Sequence, residues 1–276
     1  MIRLGFAKGH GTENDFVVLR DRHNVAPLTS DLVRRICDRH AGIGGDGVVR
    51  AVKAEHIPEW DGDPDLWFMD YWNADGTIAE MCGNGLRVFV RYLMEEDLAP
   101  RREVHIATRA GRRVVVETQT GDLKAEMGPA RVGAPTQLEV NRRPLAGVAA
   151  DVGNPHVVAV LPPDIDLEAL DLRNAPCFDA GVFPNGANAE FVRLDGDARI
   201  SMRVYERGVG ETRSCGTGVV AAAAVARHLA GDVPPRYTVN VPGGRLFVDF
   251  DADMTYLTGP AVIVARGEFT LPGNRL

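Results

Sequence analysis

The chain has 276 residues, of which 45% are hydrophobic and 25% are charged, and its formal net charge is −7. These proportions are typical of a globular protein, and the acidic balance gives no electrostatic basis for binding nucleic acid. The first residues lack the apolar core of a signal peptide, and the longest apolar run is too short to span a bilayer. We therefore predict a cytoplasmic protein with neither a nucleic-acid nor a membrane partner.

The N-terminal part of the chain reads as strands interrupted by one short helix. We predict strands on either side of a loop over residues 10–15, and then a helix capped by Ser30. Cys37 falls on the apolar face of that helix, so we assign it to core packing. The glycines of residues 42–47 follow a helix and lead into a strand. A dinucleotide-binding loop has the opposite context, so we predict a turn here.

The first cysteine motif, Cys82-Gly83-Asn84-Gly85, stands at the start of a predicted helix. Apolar residues then recur with helical spacing and predict an amphipathic stripe: Leu86, Phe89, Val90, Leu93 and Met94. We expect Arg87 and Arg91 to lie on the opposite face of the helix. Upstream of the motif, residues 54–65 predict a surface hairpin tip, and residues 66–72 predict a strand.

The middle of the chain reads as short strands joined by glycine-containing turns, over residues 104–107, 113–117 and 123–127. We place one lobe at residues 1–121 plus 264–276 and the other at 122–263. Further strands are predicted in the second lobe and at the end of the chain, over residues 189–193, 200–205, 237–241, 245–250 and 261–265. The four cysteines contain no C-x-x-C pair, so we predict no zinc site.

The second cysteine motif, Ser214-Cys215-Gly216-Thr217-Gly218, precedes an apolar run over residues 219–226. Because this run is apolar on all sides, it predicts a buried helix. The start of a helix carries backbone N–H groups without internal partners and the positive end of the helix dipole, which favours a thiolate. For Cys215 alone, a buried structural cysteine would remain the simpler interpretation.

The recurrence of Cys-Gly-x-Gly in both halves of the chain predicts two similarly built lobes that contribute one cysteine each. If both cysteines border one cleft, a thiolate can remove a proton from a carbon while the opposite thiol returns one to the other face. This chemistry inverts a stereocentre without a cofactor or a metal. Backbone N–H groups at Gly83-Asn84 and Gly216-Thr217 would hold a substrate carboxylate. The alternative is two unrelated buried cysteines followed by turn glycines.

With both motifs identified, the chain resembles the diaminopimelate epimerase family, pyridoxal-independent enzymes that interconvert LL- and meso-diaminopimelate. The resemblance covers nearly the whole chain and depends on the sequences HGTENDF, NADG, MCGNG, GNPH, GANAEF, ERGVGET and CGTG. It implies an α+β fold of two pseudo-symmetric lobes, each a mixed β-sheet rolled around a central helix. It also implies a homodimer whose substrate is an acyclic diamino diacid.

The resemblance further implies a role for individual residues. Cys82 and Cys215 would exchange the proton, and His156 and Glu206 would assist. The substrate would be held by the backbone of Gly83, Asn84, Gly216 and Thr217 and by the side chains of Asn14, Asn73, Asn154, Asn188, Glu206 and Arg207. Arg207 would clamp the distal carboxylate. Taken singly, each asparagine could instead complete a turn, His156 could be a structural donor, and Glu206 with Arg207 could be a solvated pair.

Two features depart from the pattern of the family. Gly47 stands where some members place a glutamine that contacts the substrate, so that contact would be absent or made by the backbone. The insertion over residues 54–65 is longer than in many members. Neither feature affects the cysteine pair.

Three other functions fit part of the pattern. Proline and hydroxyproline racemases share the two-cysteine chemistry but typically carry a histidine where this chain has Asn84. The segment 216–221 matches G-x-G-x-x-A, but no strand ends directly before it and no acidic residue ends the strand that follows its helix, so a dinucleotide-binding oxidoreductase is disfavoured. A redox switch would form a disulfide between Cys82 and Cys215.

Overall fold

The computed structural model describes residues 2–231 and 233–271. The chain divides into two compact units: unit 1 comprises Met1–Ala125 and Pro260–Leu276, and unit 2 comprises Glu126–Gly259. We had placed the lobe boundaries after residues 121 and 263, and the behaviour of the lobes as separate domains stays a prediction.

Unit 1 is a mixed β-sheet with two α-helices. Its elements are β1 (Ile2–Gly11), β2 (Asn14–Arg20), α1 (Ser30–Cys37), β3 (Gly47–Lys53), a short 3-10 helix (Ala54–His56), β4 (Trp67–Asn73), α2 (Gly83–Glu95), β5 (Glu103–Thr108), β6 (Gly111–Glu117), the start of β7 (Leu123–Gly128) and β18 (Val262–Leu271). The strands pair in the order β18-β1-β2-β3-β4-β5-β6-β7. The pairs β2–β3 and β4–β5 are parallel and the others are antiparallel.

Unit 2 repeats this arrangement with its own strands. Its elements are β8 (Arg131–Val140), β9 (Arg143–Asp151), β10 (Pro155–Val160), β11 (Cys177–Phe178), β12 (Asn188–Leu194), β13 (Arg199–Glu206), β14 (Gly210–Thr212), α3 (Gly216–Leu229), β15 (Arg236–Val241), β16 (Gly244–Asp251) and β17 (Met254–Gly259). The main strands pair in the order β8-β9-β10-β12-β13-β15-β16-β17. The pairs β10–β12 and β13–β15 are parallel, so the succession of antiparallel and parallel pairs matches that of unit 1.

The strand registers define equivalent positions in the two units. Phe16 lies opposite Gly47 across β2–β3, and His156 lies opposite Asn188 across β10–β12. The same comparison extends to the neighbouring strands, where Val48 pairs with Trp72 and Ala189 pairs with Tyr205. The equivalent pairs of interest are therefore Asn14 and Asn154, Phe16 and His156, Gly47 and Asn188, and Asn73 and Glu206.

Each sheet surrounds one buried helix, and the predicted α+β architecture is confirmed. Every residue of α3 from Gly216 to Ala226 is buried, as the uniformly apolar run predicted. The apolar stripe of α2 is also buried, and so is the side chain of Arg87, which we expect on the face of the helix opposite the stripe. Strands β1, β2 and β18 pack against this helix as well as β3 and β4, so little of its surface is left open. Among the described residues, no helix is long and apolar enough to cross a membrane.

Several local predictions need correction. Residues 10–15 do not form a loop: β1 continues to Gly11, and only Thr12 and Glu13 turn, both with positive φ, as in a two-residue hairpin. Helix α1 is capped by Thr29, whose hydroxyl accepts a hydrogen bond from the Leu32 N–H, and not by Ser30. Strands β8, β9, β10 and β17 were not predicted. Most of β8 is exposed, so it lacks the apolar alternation that would mark it in the sequence.

Candidate active site

The two cysteines occupy the same place in their units. Cys82 is the N-cap of α2, with φ −142° and ψ 118°, and Cys215 is the N-cap of α3, with φ −125° and ψ 117°. The backbone N–H of Gly85 donates to Cys82 Sγ at 3.4 Å. Cys82 is partly exposed, whereas Cys215 is only 5% exposed, and neither forms a disulfide.

The predicted site residues fall into two sets. We call the set in unit 1 the Cys82 cluster: Asn14, Asn73, Cys82, Gly83 and Asn84. We call the set in unit 2 the Cys215 cluster: Asn154, His156, Asn188, Glu206, Arg207, Cys215, Gly216 and Thr217. The two residues after each cysteine, Gly83-Asn84 and Gly216-Thr217, lie in the first turns of α2 and α3. Backbone N–H groups in a first turn point outward along the helix axis, where they suit a carboxylate.

In the Cys82 cluster, the two asparagines Asn14 and Asn84 are linked to each other. Asn84 Nδ2 donates to Asn14 Oδ1 at 3.1 Å, and Asn14 Nδ2 donates to Asp46 Oδ2 at 2.7 Å. Both ends of the Asn14 amide are therefore engaged within unit 1. In this structure Asn14 fixes the start of β2 against the turn before β3, and its contact with substrate stays a prediction.

Charged groups next to Asn14 hold the hydrogen bonds between Asn84, Asn14 and Asp46 in place. Asp15 lies 2.5 Å from Lys8 Nζ and accepts from Arg39, which also contacts Asp46 at 2.8 Å. Burial alone would raise the pKa of Asp15, but the hydrogen bonds from Arg39 and Lys8 hold it well below its usual range. Burial, together with the charge of Asp15, raises the pKa of Asp46.

Asn73 ends β4, and its side chain is bonded on both sides. Tyr71 Oη donates to Asn73 Oδ1 at 2.8 Å, and Asn73 Nδ2 donates to Thr77 Oγ1 at 3.1 Å. The adjacent Gly47 has no room for a side chain, because a Cβ there would lie 2.6 Å from the Trp72 carbonyl oxygen and 2.8 Å from the Tyr71 ring. The glycine at this position is thus fixed by packing.

The Cys215 cluster contains a chain of polar contacts that begins in the core. His156 Nδ1 lies 2.8 Å from Glu190 Oε1, and both side chains are fully buried. His156 Nε2 lies 2.8 Å from Asn154 Oδ1, and Asn154 Nδ2 donates to Thr217 Oγ1 at 3.4 Å. Thr217 Oγ1 in turn lies 3.5 Å from Cys215 Sγ. The structure therefore connects His156 to the thiol through Asn154 and Thr217 and not directly.

The electrostatic environment of Cys215 favours the thiol. Burial, followed by the negative charges of Glu206 and Glu190, raises the pKa of Cys215 well above its usual value. Contacts with Thr217 and the Gly218 N–H act in the opposite direction but are smaller. The prediction that the helix start makes this cysteine readily ionised is wrong, because desolvation and two nearby carboxylates outweigh the helix end.

Arg207 is the exposed member of the Cys215 cluster and is bonded to the buried Asn188. The backbone N–H of Arg207 donates to Asn188 Oδ1 at 2.9 Å, and this hydrogen bond links the end of β13 to the start of β12. The Arg207 side chain is exposed and makes no ion pair within the described residues, while Glu206 accepts a hydrogen bond from Thr212 Oγ1. Glu206 and Arg207 therefore do not form the solvated ion pair that was the alternative interpretation of these two residues. The exposed guanidinium is available for an external carboxylate.

Near the two cysteine motifs, the buried charged residues Arg87 and Glu190 were not predicted from the sequence. Each stands within an otherwise apolar stretch, LRVFV and AEFV, and that context was the signal available. Among the described residues, no group of three His, Cys, Asp or Glu side chains could hold a metal ion.

Comparison with known proteins agrees with this arrangement. The family model described as diaminopimelate epimerase matches residues 6–133 and 148–264, and so includes both cysteine motifs. The chain is 45% identical to the diaminopimelate epimerase of Corynebacterium glutamicum (strain R) over 97% of this chain and 98% of that protein. It is also 45% identical to the diaminopimelate epimerase of Thermobifida fusca (strain YX), over 99% of this chain and 100% of that protein.

A solved structure shows the same fold at much lower identity. A hydroxyproline epimerase from Agrobacterium vitis, crystallised with trans-4-hydroxy-L-proline, superposes with a TM-score of 0.69 at 13% identity, over 97% of this chain and 91% of that one. At this identity the likeness concerns the fold alone. The sequence matches over both units carry the assignment, and the chain belongs to the diaminopimelate epimerase family of isomerases.

Proposed function

We propose that this enzyme converts LL-diaminopimelate to meso-diaminopimelate by proton transfer at one Cα through Cys82 and Cys215, without a cofactor. The observation that carries the proposal is the repeated arrangement in which each unit presents a cysteine as the N-cap of a buried helix. Family membership supports the reaction. The product is a precursor of lysine and peptidoglycan, and we place the enzyme in that synthesis, in the cytoplasm and as a homodimer.

The reaction needs one thiolate and one thiol that reach opposite faces of the same Cα. The thiolate sulfur takes the Cα proton and becomes a thiol, while the electron pair of the broken C–H bond stays on the substrate and spreads into its carboxylate. First-turn N–H groups of α2 and α3 suit the stabilisation of that charge. The opposite thiol then donates its proton to Cα and becomes a thiolate. The stereocentre is inverted, and the two sulfurs have exchanged protonation states.

The Cys215 cluster supports recognition of the distal end of the substrate. The Arg207 guanidinium is exposed and makes no ion pair within the described residues, and a guanidinium binds a carboxylate through two parallel hydrogen bonds. The side-chain oxygen of Asn188 already accepts a hydrogen bond from the backbone N–H of Arg207. The side-chain NH₂ group of Asn188 is left to donate to a substrate. A substrate with a second carboxylate beyond the reacting carbon fits this arrangement better than a cyclic amino acid does.

The proposal is tested by following LL-diaminopimelate in deuterated water with the purified protein. Proton NMR should show loss of the Cα–H signal and formation of the meso isomer under reducing conditions. Cys82→Ala and Cys215→Ala should each abolish this reaction while leaving the fold intact. Cys177→Ala is the matched control, because Cys177 is an exposed free thiol outside both clusters, and it should retain full activity.

Three outcomes would contradict the proposal. Full activity in either cysteine variant would exclude the two-base scheme. Racemisation of proline without reaction of diaminopimelate would assign the chain to another substrate class. An active oxidised form with an inert reduced form would favour a redox switch.

A further inference from the structure

Two buried amides of the Cys82 cluster belong to a chain of hydrogen bonds that runs in one direction. Arg87 Nη2 donates to Asn84 Oδ1 at 2.9 Å. Asn84 Nδ2 donates to Asn14 Oδ1 at 3.1 Å, and Asn14 Nδ2 donates to Asp46 Oδ2 at 2.7 Å. We call these four side chains the amide chain. Arg87 and Asn84 are fully buried and Asn14 is 5% exposed, so the links are shielded from water.

The two ends of the amide chain are compatible with only one orientation of the amides between them. A guanidinium carries N–H donors and no acceptor, so Arg87 can face only the oxygen of Asn84. The Asp46 carboxylate forms an ion pair with Arg39 at 2.8 Å, which favours its acceptor form, and it therefore faces the NH₂ group of Asn14. The donor and acceptor ends of an amide have nearly the same shape, so these partners decide which way each amide points.

Both ends of the amide chain are also held by the backbone. The Asp46 N–H donates to the Asp15 carbonyl at 2.7 Å, and the Asp46 carbonyl accepts from the Ala74 N–H at 3.1 Å. At the other end, Arg87 Nη1 donates to the Gly83 carbonyl at 3.3 Å. The terminal donor and the terminal acceptor are therefore fixed relative to the amides of unit 1.

The equivalent asparagine of unit 2 points the opposite way. Asn154 is equivalent to Asn14, and Thr217 is equivalent to Asn84, since both lie two residues after their cysteine. Asn14 turns its oxygen toward the residue on the helix, at 3.1 Å. Asn154 turns its NH₂ group toward the residue on the helix, Thr217, at 3.4 Å. The same side chain at the same place in the fold thus adopts either orientation.

The groups that end the two chains differ accordingly. On the side away from the helix, the asparagine of unit 1 meets Asp46, whereas the asparagine of unit 2 has its oxygen 2.8 Å from His156 Nε2. The position equivalent to Arg87, five residues after Cys215, is Val220. The amide thus turns its NH₂ group toward a carboxylate in unit 1 and its oxygen toward an imidazole in unit 2.

We propose that Asp46 is a positioning residue that, with Arg87 at the opposite end, sets the orientation of the Asn14 amide and hence the hydrogen-bonding groups that the Cys82 cluster offers to the substrate. Within the described residues, Asn14 Oδ1 accepts one hydrogen bond and Nδ2 donates one, so a lone pair and an N–H remain for a substrate. Turning the amide over would exchange them. The proposal rests on the proposed function, in which Asn14 binds the substrate.

The test replaces Asp46 by a residue of the same shape that can donate as well as accept. Asp46→Asn should allow the Asn14 amide to turn over and should lower kcat/KM for diaminopimelate by about tenfold, mainly through KM. Burial, together with the charge of Asp15, raises the pKa of Asp46. Removal of this charge should therefore leave the urea midpoint of unfolding at or above that of the parent. A purely structural role would lower activity and stability together.

Asp15→Asn is the matched control. The Asp15 carboxylate pairs with Lys8 and Arg39, and within the described residues it forms no hydrogen bond with either amide. Burial alone would raise the pKa of Asp15, but these two cations hold it well below its usual range. Loss of this charge should therefore lower the urea midpoint. The kcat/KM of the folded variant should stay within about twofold of the parent.

A second measurement does not require turnover. In protein labelled with ¹⁵N at asparagine, the side-chain NH₂ signals of Asn14 and Asn84 are identified by their loss in Asn14→Ser and Asn84→Ser. In the parent, both groups should exchange with water at least about tenfold more slowly than that of the exposed Asn141. Asp46→Asn should lower the protection of Asn14 by at least about threefold, and Asp15→Asn should retain it.

An Asp46→Asn variant with the KM and the amide protection of the parent would overturn the proposal. A kcat/KM that falls only in step with the urea midpoint would also overturn it, as would a variant that does not fold, because Asp46 is assigned no stabilising role. A protein that shows the expected exchange pattern but does not epimerise diaminopimelate would support the role of Asp46 and refute the proposed function alone.

Discussion

Units 1 and 2 share one strand topology, and each places a cysteine at the start of its central helix, yet they surround that cysteine differently. Unit 2 carries the buried pair His156 and Glu190 on β10 and β12. The equivalent positions on β2 and β3 are the apolar Phe16 and Val49. A carboxylate is therefore buried near the sulfur in unit 2 but not at the equivalent point of unit 1.

The central helices show the opposite difference. Unit 1 buries the cation Arg87 in α2, where unit 2 has Val220 in α3. The repeated backbone supplies the same N-cap geometry to both cysteines, while the charged side chains buried in the two units differ. The comparison teaches that the fold determines where each sulfur lies within its unit, and that residues outside the glycine motifs determine which charged groups are buried in that unit.

The largest effect should come from the exposed guanidinium found in the Cys215 cluster. Arg207→Gln should lower kcat/KM for diaminopimelate by about a hundredfold, mainly through KM, because charge-assisted hydrogen bonds to the distal carboxylate are lost. Initial rates over a range of substrate concentrations measure this effect. Arg199→Gln, at the opposite end of β13, is the control and should behave as the parent. An unchanged KM in Arg207→Gln would contradict the proposal that Arg207 binds the distal carboxylate of the substrate.

The two glycines one turn after the cysteines offer a sharper comparison. A Cβ at Gly218 would lie 2.5 Å from Glu190 Oε1, whereas a Cβ at Gly85 would lie 3.4 Å from Cys82 Cβ, in ordinary contact. Gly218→Ala should displace the Glu190 carboxylate from His156 and destabilise the protein by about 1–3 kcal/mol. Gly85→Ala should change the free energy of unfolding by less than about 1 kcal/mol, since alanine favours the helix.

Urea unfolding of the two alanine variants and the parent measures this difference. Equal losses in both variants would show that the two glycines are constrained alike, and would count against a role for Glu190 packing in the contrast between the units.

A smaller effect is expected when one anion is removed from beside Cys215. Because the Glu206 carboxylate helps to raise the pKa of Cys215, Glu206→Gln should lower that pKa. In a Cys82→Ala background, the alkylation midpoint of Cys215 should move down by about one pH unit, with about tenfold faster modification at pH 8. Glu211→Gln is the control, because Glu211 on β14 is paired with Arg203. An unchanged or higher midpoint in Glu206→Gln would contradict this account of Cys215.

The sequence predicted those features of the fold that depend on short-range patterns. The glycines after Cys82 and Cys215 and the apolar runs that follow them are short-range signals, and both helix starts lie where they were expected. The burial of Arg87 was not predicted, because the strands that cover its face come from distant parts of the chain. The last of these, β18, is separated from α2 by the whole of unit 2.

The charge state of Cys215 was misjudged for a similar reason. The helix end is a local feature and is visible in the sequence, whereas burial and the approach of Glu190 from β12 are products of the tertiary fold. The fold class followed from the resemblance to a family and from the repeated motif. Strand β8 is mostly exposed and carries too little apolar alternation to be predicted from one sequence.

The pairing of β18 with β1 has a consequence for how the protein is made. Unit 2 is one continuous stretch of chain, but unit 1 needs its final strand, residues 262–271, to cover one edge of β1 and one side of α2. During translation, the ribosome therefore releases every strand of unit 2 before it releases the piece that completes unit 1. The cysteine that is synthesised first is the one whose surroundings are assembled last.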